Sequence, residues 1–514
     1  MAAFSPLCRR VPTIRENPHP MLKSKRFRLI YGVTLSLIPL AFLVLLARGK
    51  GDWGGTTPPD TLLSTTSVEG QTPDFCTPLI RTPRATWLLT SQKDDNAMPT
   101  WKVDPSTLAL NTLLPPVKEK AKAGDDSQMA QYMPKSSNWT TLISKLDAKG
   151  VFQPVAIVPD MTCLHATPDG ATVYVLTGLD NPQGLAIGDS NPKTRQTAVF
   201  RTDDQGAHWT WLKNGFFPDA ARWGESLRPS FYSSREVWAW TEFDDLTLPG
   251  KVLSESGSPL QSVLRLFYSA DGGASVQQVK ASAPIAMSRN EAVEQFPADA
   301  EADSSGANDK TTGFVVQLSD DHAIAWLSQS FYYGVAGDHL AKLYAVLDQM
   351  ELRREGQSWV MGLPKRTAGA NLKSVTRTPA GQIYGVMARS RANDVVARFD
   401  QASRAWIPLA STPNSFSPLP AEITVDNLWA SDKHLVISLS SIYFVPRLLY
   451  PFGYDNATIH GGADYYSDDG GRHWTHLKVR AGILALDPHT DELLASPFEN
   501  WESTAPIRAY QLGK

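Results

Sequence analysis

Three cysteines are spread over 514 residues, at Cys8, Cys76 and Cys163. That is too few for a disulfide scaffold, and with no C-x-x-C pair there is no thiolate metal site. The ten histidines are scattered without metal-ligand spacing, and H-E-x-x-H does not occur. A phosphate-cradling Gly-Lys-Thr/Ser loop and a Gly-x-Ser-x-Gly nucleophile elbow are also missing. The sequence therefore calls for no cofactor and no metal, and it names no catalytic residue. Long helical periodicity is scarce, with only the mixed spacing of residues 334–352 to suggest it. Excess charge of one sign is missing overall, since the net charge is −3. That value hides a cationic tail. Residues 1–28 carry Arg9, Arg10, Arg15, Lys23, Lys25, Arg26 and Arg28 against Glu16 alone, a balance of +6 that leaves −9 for the rest. A mildly acidic body lacks the basic face that nucleic acid demands, so no nucleic-acid partner is expected.

What is present begins with residues 29–47, LIYGVTLSLIPLAFLVLLA, nineteen residues without a charge. As a helix this run spans about 28 Å, the thickness of a bilayer's hydrocarbon core. It exceeds the apolar stretch of a signal peptide and leads into Arg48 rather than a small-residue cleavage site. We read it as an uncleaved transmembrane signal-anchor. The cations ahead of it place the N-terminus in the cytoplasm and the main domain in the periplasm or outside the cell. Cys76 and Cys163 then face an oxidising compartment, where they form either one disulfide or two buried thiols. The sequons at Asn138 and Asn456 matter only in a eukaryotic secretory pathway.

Residues 48–75 are rich in Gly, Thr, Ser and Pro and read as a flexible linker. Residues 296–312 read as a disordered loop within the body that runs from 76 to 514.

The strongest signal in that body is a repeated motif. Thr202-x-Asp204-x-Gly206-x-x-Trp209 and Ser467-x-Asp469-x-Gly471-x-x-Trp474 share one pattern, and Ser269-x-Asp271-x-Gly273 repeats it with Val276 in the place of Trp. Average residue usage gives only about 0.01 full matches in a chain of this length. Ser/Thr and Asp oxygens tighten a turn by accepting backbone N–H groups, Gly supplies positive φ, and Trp opens the returning strand. The motif resembles the Asp-box of the BNR-repeat family, found in sialidases and many other β-propellers. The resemblance implies a structural hairpin clip remote from any active site, and so speaks for fold rather than activity.

A second periodicity agrees with it. Turns at 103–106, 167–170, 232–235, 319–322, 378–381, 430–433 and 487–490 each precede a short apolar strand, and segment ends fall at Trp139, Trp209, Val276, Trp359, Trp406 and Trp474. This predicts an all-β propeller of seven blades, with six as the alternative. Its ring is expected to close through a strand near Thr86–Thr90. Alternation in 237–240 puts Trp238 and Trp240 on one buried face.

Function is read as protein or glycan recognition, or assembly, with the partner unidentified. Fifteen tryptophans are mostly core by position; Trp223 and the aromatic stretch 442–454 are candidates to meet a ligand. The alternative is a sialidase-like exo-glycosidase. The resemblance implies three arginines around a carboxylate, with a Tyr–Glu nucleophile pair. Candidates are Arg84, Arg222 and Arg377, with Glu225 and Tyr232 nearby. The usual Arg-Ile-Pro is replaced here by Arg81-Thr82-Pro83.

Overall fold

The computed structural model describes residues 55–67, 78–93, 103–104, 109–110, 139–159, 162–180, 195–212, 228–244, 262–281, 286–287, 289–298, 300–302, 310–335, 338–389, 392–409, 412–413, 421–444, 458–479, 482–496 and 506–513. These residues form seven mainly antiparallel sheets. Blade 1 is Leu79–Arg81, Thr86–Lys93, Trp139–Leu146 and Phe152–Pro159. Blade 2 is Thr162–Ala166, Val173–Asp180, Arg195–Thr202 and Thr210–Trp211. Blade 3 is Arg228–Phe231, Val237–Asp244, Ser262–Ser269 and Gln277–Gln278. Blade 4 is built on Lys310–Ser319, His322–Val335, Asp338–Glu355 and Ser358–Met361. Blade 5 is Ala370–Arg377, Ile383–Arg389, Ala392–Asp400 and Ala405–Pro408. Blade 6 is Glu422–Ala430, Leu435–Phe444, Thr458–Ser467 and Thr475–Leu477. Blade 7 is Gly482–Leu486, Glu492–Ser496 and Pro506–Gln511, completed by Asp60–Ser67 from the start of the domain.

Packing turns these sheets into a wheel. A sheet apolar on both faces must bury both, and each blade does so against its two neighbours. Trp87, Ile143 and Val158 of blade 1 meet Leu164, Phe200 and Trp209 of blade 2. Tyr174 and Leu176 then meet Val237 and Ala239, and Trp238 and Trp240 meet Ala325, Met350 and Trp359. Onward around the circle, Ile324 and Trp326 meet Leu372 and Phe399, and Val386 and Val396 meet Ile423 and Leu439. Val436 and Leu477 of blade 6 meet Leu493 and Tyr510 of blade 7. The circle returns to its start where Leu484, Leu494 and Ile507 meet Leu79 and Leu88. Seven blades are thus joined by seven apolar seams. As expected, Trp238 and Trp240 lie buried on one face, and both are fully inaccessible.

The closing strand is not the one the sequence suggested. Thr86–Lys93 is the second strand of blade 1; the fourth strand of blade 7 is Asp60–Ser67, antiparallel to Pro506–Gln511 with Asp60 opposite Tyr510 and Ser67 opposite Pro506. It comes from the stretch read as linker. The segment DTLLSTTS carries β-branched threonines that favour pairing, though it is too polar to stand out beside the Gly and Pro around it. Two further readings shift for similar reasons. The turn at 103–106 belongs to a small hairpin, Val103–Asp104 with Ala109–Leu110, that extends the outer edge of blade 2. Trp139 opens a third strand rather than a fourth. Residues 296–312 are not wholly irregular, since Ala300–Ala302 pairs with Tyr333–Val335 and Phe296 stacks on Tyr333 at 4.7 Å. Residues 303–309 lie outside the described residues, as do 29–47, Cys8, Cys76 and Trp223. Among the described residues no helix is long and apolar enough to cross a membrane.

The three Ser/Thr-x-Asp-x-Gly motifs take one geometry, each joining the third and fourth strands of its blade. Thr202, Ser269 and Ser467 each donate a hydroxyl proton to Asp204, Asp271 and Asp469 at 2.8 Å. The same oxygens accept the N–H of Gly206, Gly273 and Gly471 at 2.9, 2.7 and 2.8 Å. Asp204 and Asp271 each also accept a backbone N–H, from His208 and Ser275, and Asp469 accepts two, from Arg472 and His473. These glycines have φ of 89°, 90° and 87°, which a side chain would strain. Where Trp is missing in blade 3, Tyr174 of blade 2 reaches over and donates its hydroxyl to the carbonyl of Gly272 at 3.0 Å.

Two outcomes test this account. Ser467→Ala strands the buried Gly471 N–H and is expected to cost about 1–3 kcal/mol in denaturant unfolding. A chain begun at residue 70 lacks the fourth strand of blade 7. It is expected to unfold at lower denaturant and to self-associate through the uncovered 506–511 edge, read by size-exclusion chromatography.

Candidate functional site

Antiparallel order gives the wheel two unequal faces. Connections from first to second and from third to fourth strand all leave on one side, which carries the motif turns and is called here the clip face. None of these connections exceeds the seven residues of 203–209. Connections from second to third strand leave on the far face; they include residues 181–194, 245–261, 445–457 and 497–505, and 94–138, part of which returns as the hairpin on the edge of blade 2.

The clip face is committed to holding blades together, because every seam carries a polar bridge there. Lys145 of blade 1 donates to the carbonyl of Gln205 at 3.0 Å, and Arg201 of blade 2 to those of Asp271 and Gly272 at 3.2 and 3.1 Å. Arg354 pairs with Glu236 at 3.8 Å, and Arg404 with Glu351 at 3.4 Å beside His322. Asp432 accepts the Ala380 N–H at 2.7 Å. Asp491 gathers Ser431, His434 and Lys433. Arg81 closes the circuit on Asp487 at 3.0 Å and Glu492 at 2.8 Å. Single bridges of this kind are weak, but seven in a ring fix the angle between neighbours.

Two of the three arginines singled out from the sequence fall on this committed face. Arg84 sits in the turn between Leu79–Arg81 and Thr86–Lys93. Arg377 ends the first strand of blade 5, with its guanidinium 5.4 Å from the Tyr232 ring. The pair is a stabilising cation–π contact. Arg222 and Glu225 lie outside the described residues. Among the described residues no group of three His, Cys, Asp or Glu is placed to hold a metal.

Two features lead toward the far face, and neither was legible in the sequence. The first is the hairpin of blade 4, whose strands run 14 and 18 residues, the longest in the wheel. Its outer part has a small core of its own, in which Met287, Ala292, Phe331 and Val346 pack together under the short helix Arg289–Val293. Gln329 clamps the Met287 backbone with bonds of 2.8 and 3.1 Å. Asp348, wholly buried, takes a two-pronged contact from Arg366 at 2.8 and 2.9 Å. The outer part of this hairpin is thus packed and hydrogen-bonded within itself.

The second feature is a row of carboxylates across blades 5 and 6. Asp394, at the far-face end of blade 5, accepts the Lys373 ammonium at 2.7 Å and the Val425 N–H at 2.8 Å. Burial nonetheless pushes its carboxyl above the ordinary range. Asp426 occupies a bulge in the first strand of blade 6, where the register shifts between Val425 and Asn427, and it accepts the Ser440 hydroxyl at 2.5 Å. Asp464, across the strand from Ser438, accepts that hydroxyl at 2.5 Å. Burial raises its carboxyl to about 6, with the nearby Asp426 charge adding to the shift. Val436 and Tyr466, on the same side of the sheet, pack toward blade 7, so Asp464 faces the seam between blades 6 and 7. This seam is apolar near the clips and polar beyond them, where Asp426 and Gly462 are exposed. Paired Ser hydroxyls and carboxylates suit a ligand rich in hydrogen-bond donors. Serine and aspartate scattered over four strands leave no linear motif, which is why the row escaped sequence reading.

Cys163 is 2% exposed and disulfide-bonded, whereas its expected partner Cys76 lies outside the described residues.

No protein-family model matches the chain, and no curated protein matches it in sequence. Among solved structures, an ulvan lyase of polysaccharide lyase family PL25 aligns over 88% of this chain and 96% of its own, at 11% identity and a TM-score of 0.44. YCF48 bound to D1 peptide aligns over 86% and 99%, at 11% identity and a TM-score of 0.33. An α-L-arabinofuranosidase of Fusarium graminearum aligns over 77% and 97%, at 11% identity and a TM-score of 0.31. At these values no conclusion about this chain rests on the likeness.

Asp464 gives a signed pH dependence. Its carboxyl is raised on folding, so the folded state holds the extra proton and loses stability as pH climbs from about 4 to 6. Asp464→Asn is expected to flatten that part of the Tm–pH curve and to gain about 1–3 kcal/mol relative to the parent at pH 7.

Proposed function

We propose that this chain is a membrane-anchored, extracytoplasmic recognition or assembly module of the BNR/Asp-box kind, binding a protein or glycan on the far face of its propeller. One observation carries the reading: connections on the clip face are uniformly tight, while those between second and third strands on the far face run as long as residues 245–261. Length beyond what a turn requires is where a rigid scaffold carries recognition. The projecting blade 4 hairpin and the carboxylate row lead to that same face. The anchor rests on residues 29–47 and the cationic tail before them. A disulfide-bonded Cys163 is in keeping with an oxidising compartment. The exo-glycosidase reading is disfavoured because Arg84 and Arg377 belong to the clip face and Arg377 is occupied by Tyr232.

The test uses the full chain in membranes. Replacing residues 445–457 by a two-residue Asn-Gly turn is expected to abolish glycan-array or crosslinking signal and leave Tm unchanged. Retained binding in that variant, with loss on Arg377→Ala, would reverse the assignment of faces. Hydrolysis of a fluorogenic sialoside would replace recognition by catalysis.

A further inference from the structure

The way the chain enters the wheel sets which face the membrane sees. Thr56 forms a parallel bridge with Leu477 on the outermost strand of blade 6. Its N–H donates to the His476 carbonyl at 2.9 Å, and its own carbonyl accepts the Lys478 N–H at 2.9 Å. Pro58 is buried, and the Pro59 carbonyl accepts the Gln511 N–H at 3.0 Å as the chain crosses to blade 7. Gly55 has φ of 121°, and a Cβ there would stand 2.8 Å from the His476 ring and carbonyl, so this approach admits glycine alone.

Direction follows from strand polarity. Thr475–Leu477 leaves the clip at 468–474 and runs toward the far face. A segment parallel to it must enter from the clip side. Asp60–Ser67 continues the same way, since its partner Pro506–Gln511 descends from the far face. The polypeptide therefore reaches the wheel at the clip-side rim of blades 6 and 7.

Length then limits freedom. If residues 29–47 span the bilayer, as the proposed function holds, only residues 48–54 lie between the membrane and Gly55. Ala47 to Gly55 is eight residue steps, about 28 Å at full extension. A Gly-rich segment of that size has a typical end-to-end distance of about 16 Å. The rim itself, the eight-residue strand Asp60–Ser67, is about 26 Å tall. Putting the far face on the bilayer would require a fully stretched tether lying flat along the rim.

We infer that the clip face of blades 6 and 7 is held against the lipid headgroups, so that the far face looks away from the membrane and its partner approaches from the aqueous side. This inference rests on the anchor reading and adds an orientation to it. It excludes a lipid, or a domain buried in the bilayer, as the occupant of the far face.

Full-length chain in a Cys8→Ser background is reconstituted into phosphatidylcholine–phosphatidylglycerol vesicles carrying an acceptor dye on the headgroups. Donor dyes are placed at Asp468→Cys on the clip face or Glu422→Cys at the far-face end of the same blade, both exposed. Energy transfer is expected to be about twofold stronger or more from Asp468→Cys, given the dimensions of a domain this size. Inserting twenty Gly/Ser residues after Gly51 should erase the difference. A chain that fails to float with the vesicles overturns the anchor and this orientation together. A chain that floats with transfer from Glu422→Cys equal or stronger overturns the orientation alone.

Discussion

The antiparallel pairing of Asp60–Ser67 with Pro506–Gln511 is the constraint on which the rest of the wheel depends. Each apolar seam fixes one blade against the next, but seams in series leave two free ends. Joining them makes every seam part of a closed circuit, so that opening any one strains the others. Closure also covers the edge of 506–511, an apolar stretch with Ile507 and Ala509 buried.

Within that circuit the seams divide their work. Bulk comes from large rings set between blades, as where Trp326 meets Phe399 and Trp406 at 5.0 and 5.3 Å. The indole N–H groups of Trp209, Trp406 and Trp474 are buried without a hydrogen-bond partner. Each such group costs about 1–3 kcal/mol, which the apolar area of an indole offsets. Orientation comes from the polar bridges on the clip face. One side of the molecule is therefore uniform, because it serves assembly, and the other is free to vary.

How much of this was legible in the sequence depends on whether a feature is local. The clips were legible because Ser/Thr, Asp and Gly act on one another within five residues, so their chemistry survives as a motif. Blades 2 to 7 were legible from the turns at 167–170 through 487–490 for the same reason, and Trp238 and Trp240 from strict alternation. Closure was misplaced because DTLLSTTS is made a strand by a partner more than four hundred residues away. The carboxylate row was invisible, since Asp394, Asp426 and Asp464 come together only after three strands align. Arg84 and Arg377 were placed by analogy and not by contacts, and strand polarity put them on the opposite side.

Synthesis runs from one end of the chain to the other, and the closing pair joins its extremes. Among the described strands, Asp60–Ser67 comes first in the chain and its partner Pro506–Gln511 comes last. Its pairing must wait until the strands between them have been made. The contact order of this one pairing is nearly the whole length of the domain, so it is the slow step of maturation. The wheel is therefore complete only when eight residues from its start dock on the strand Pro506–Gln511.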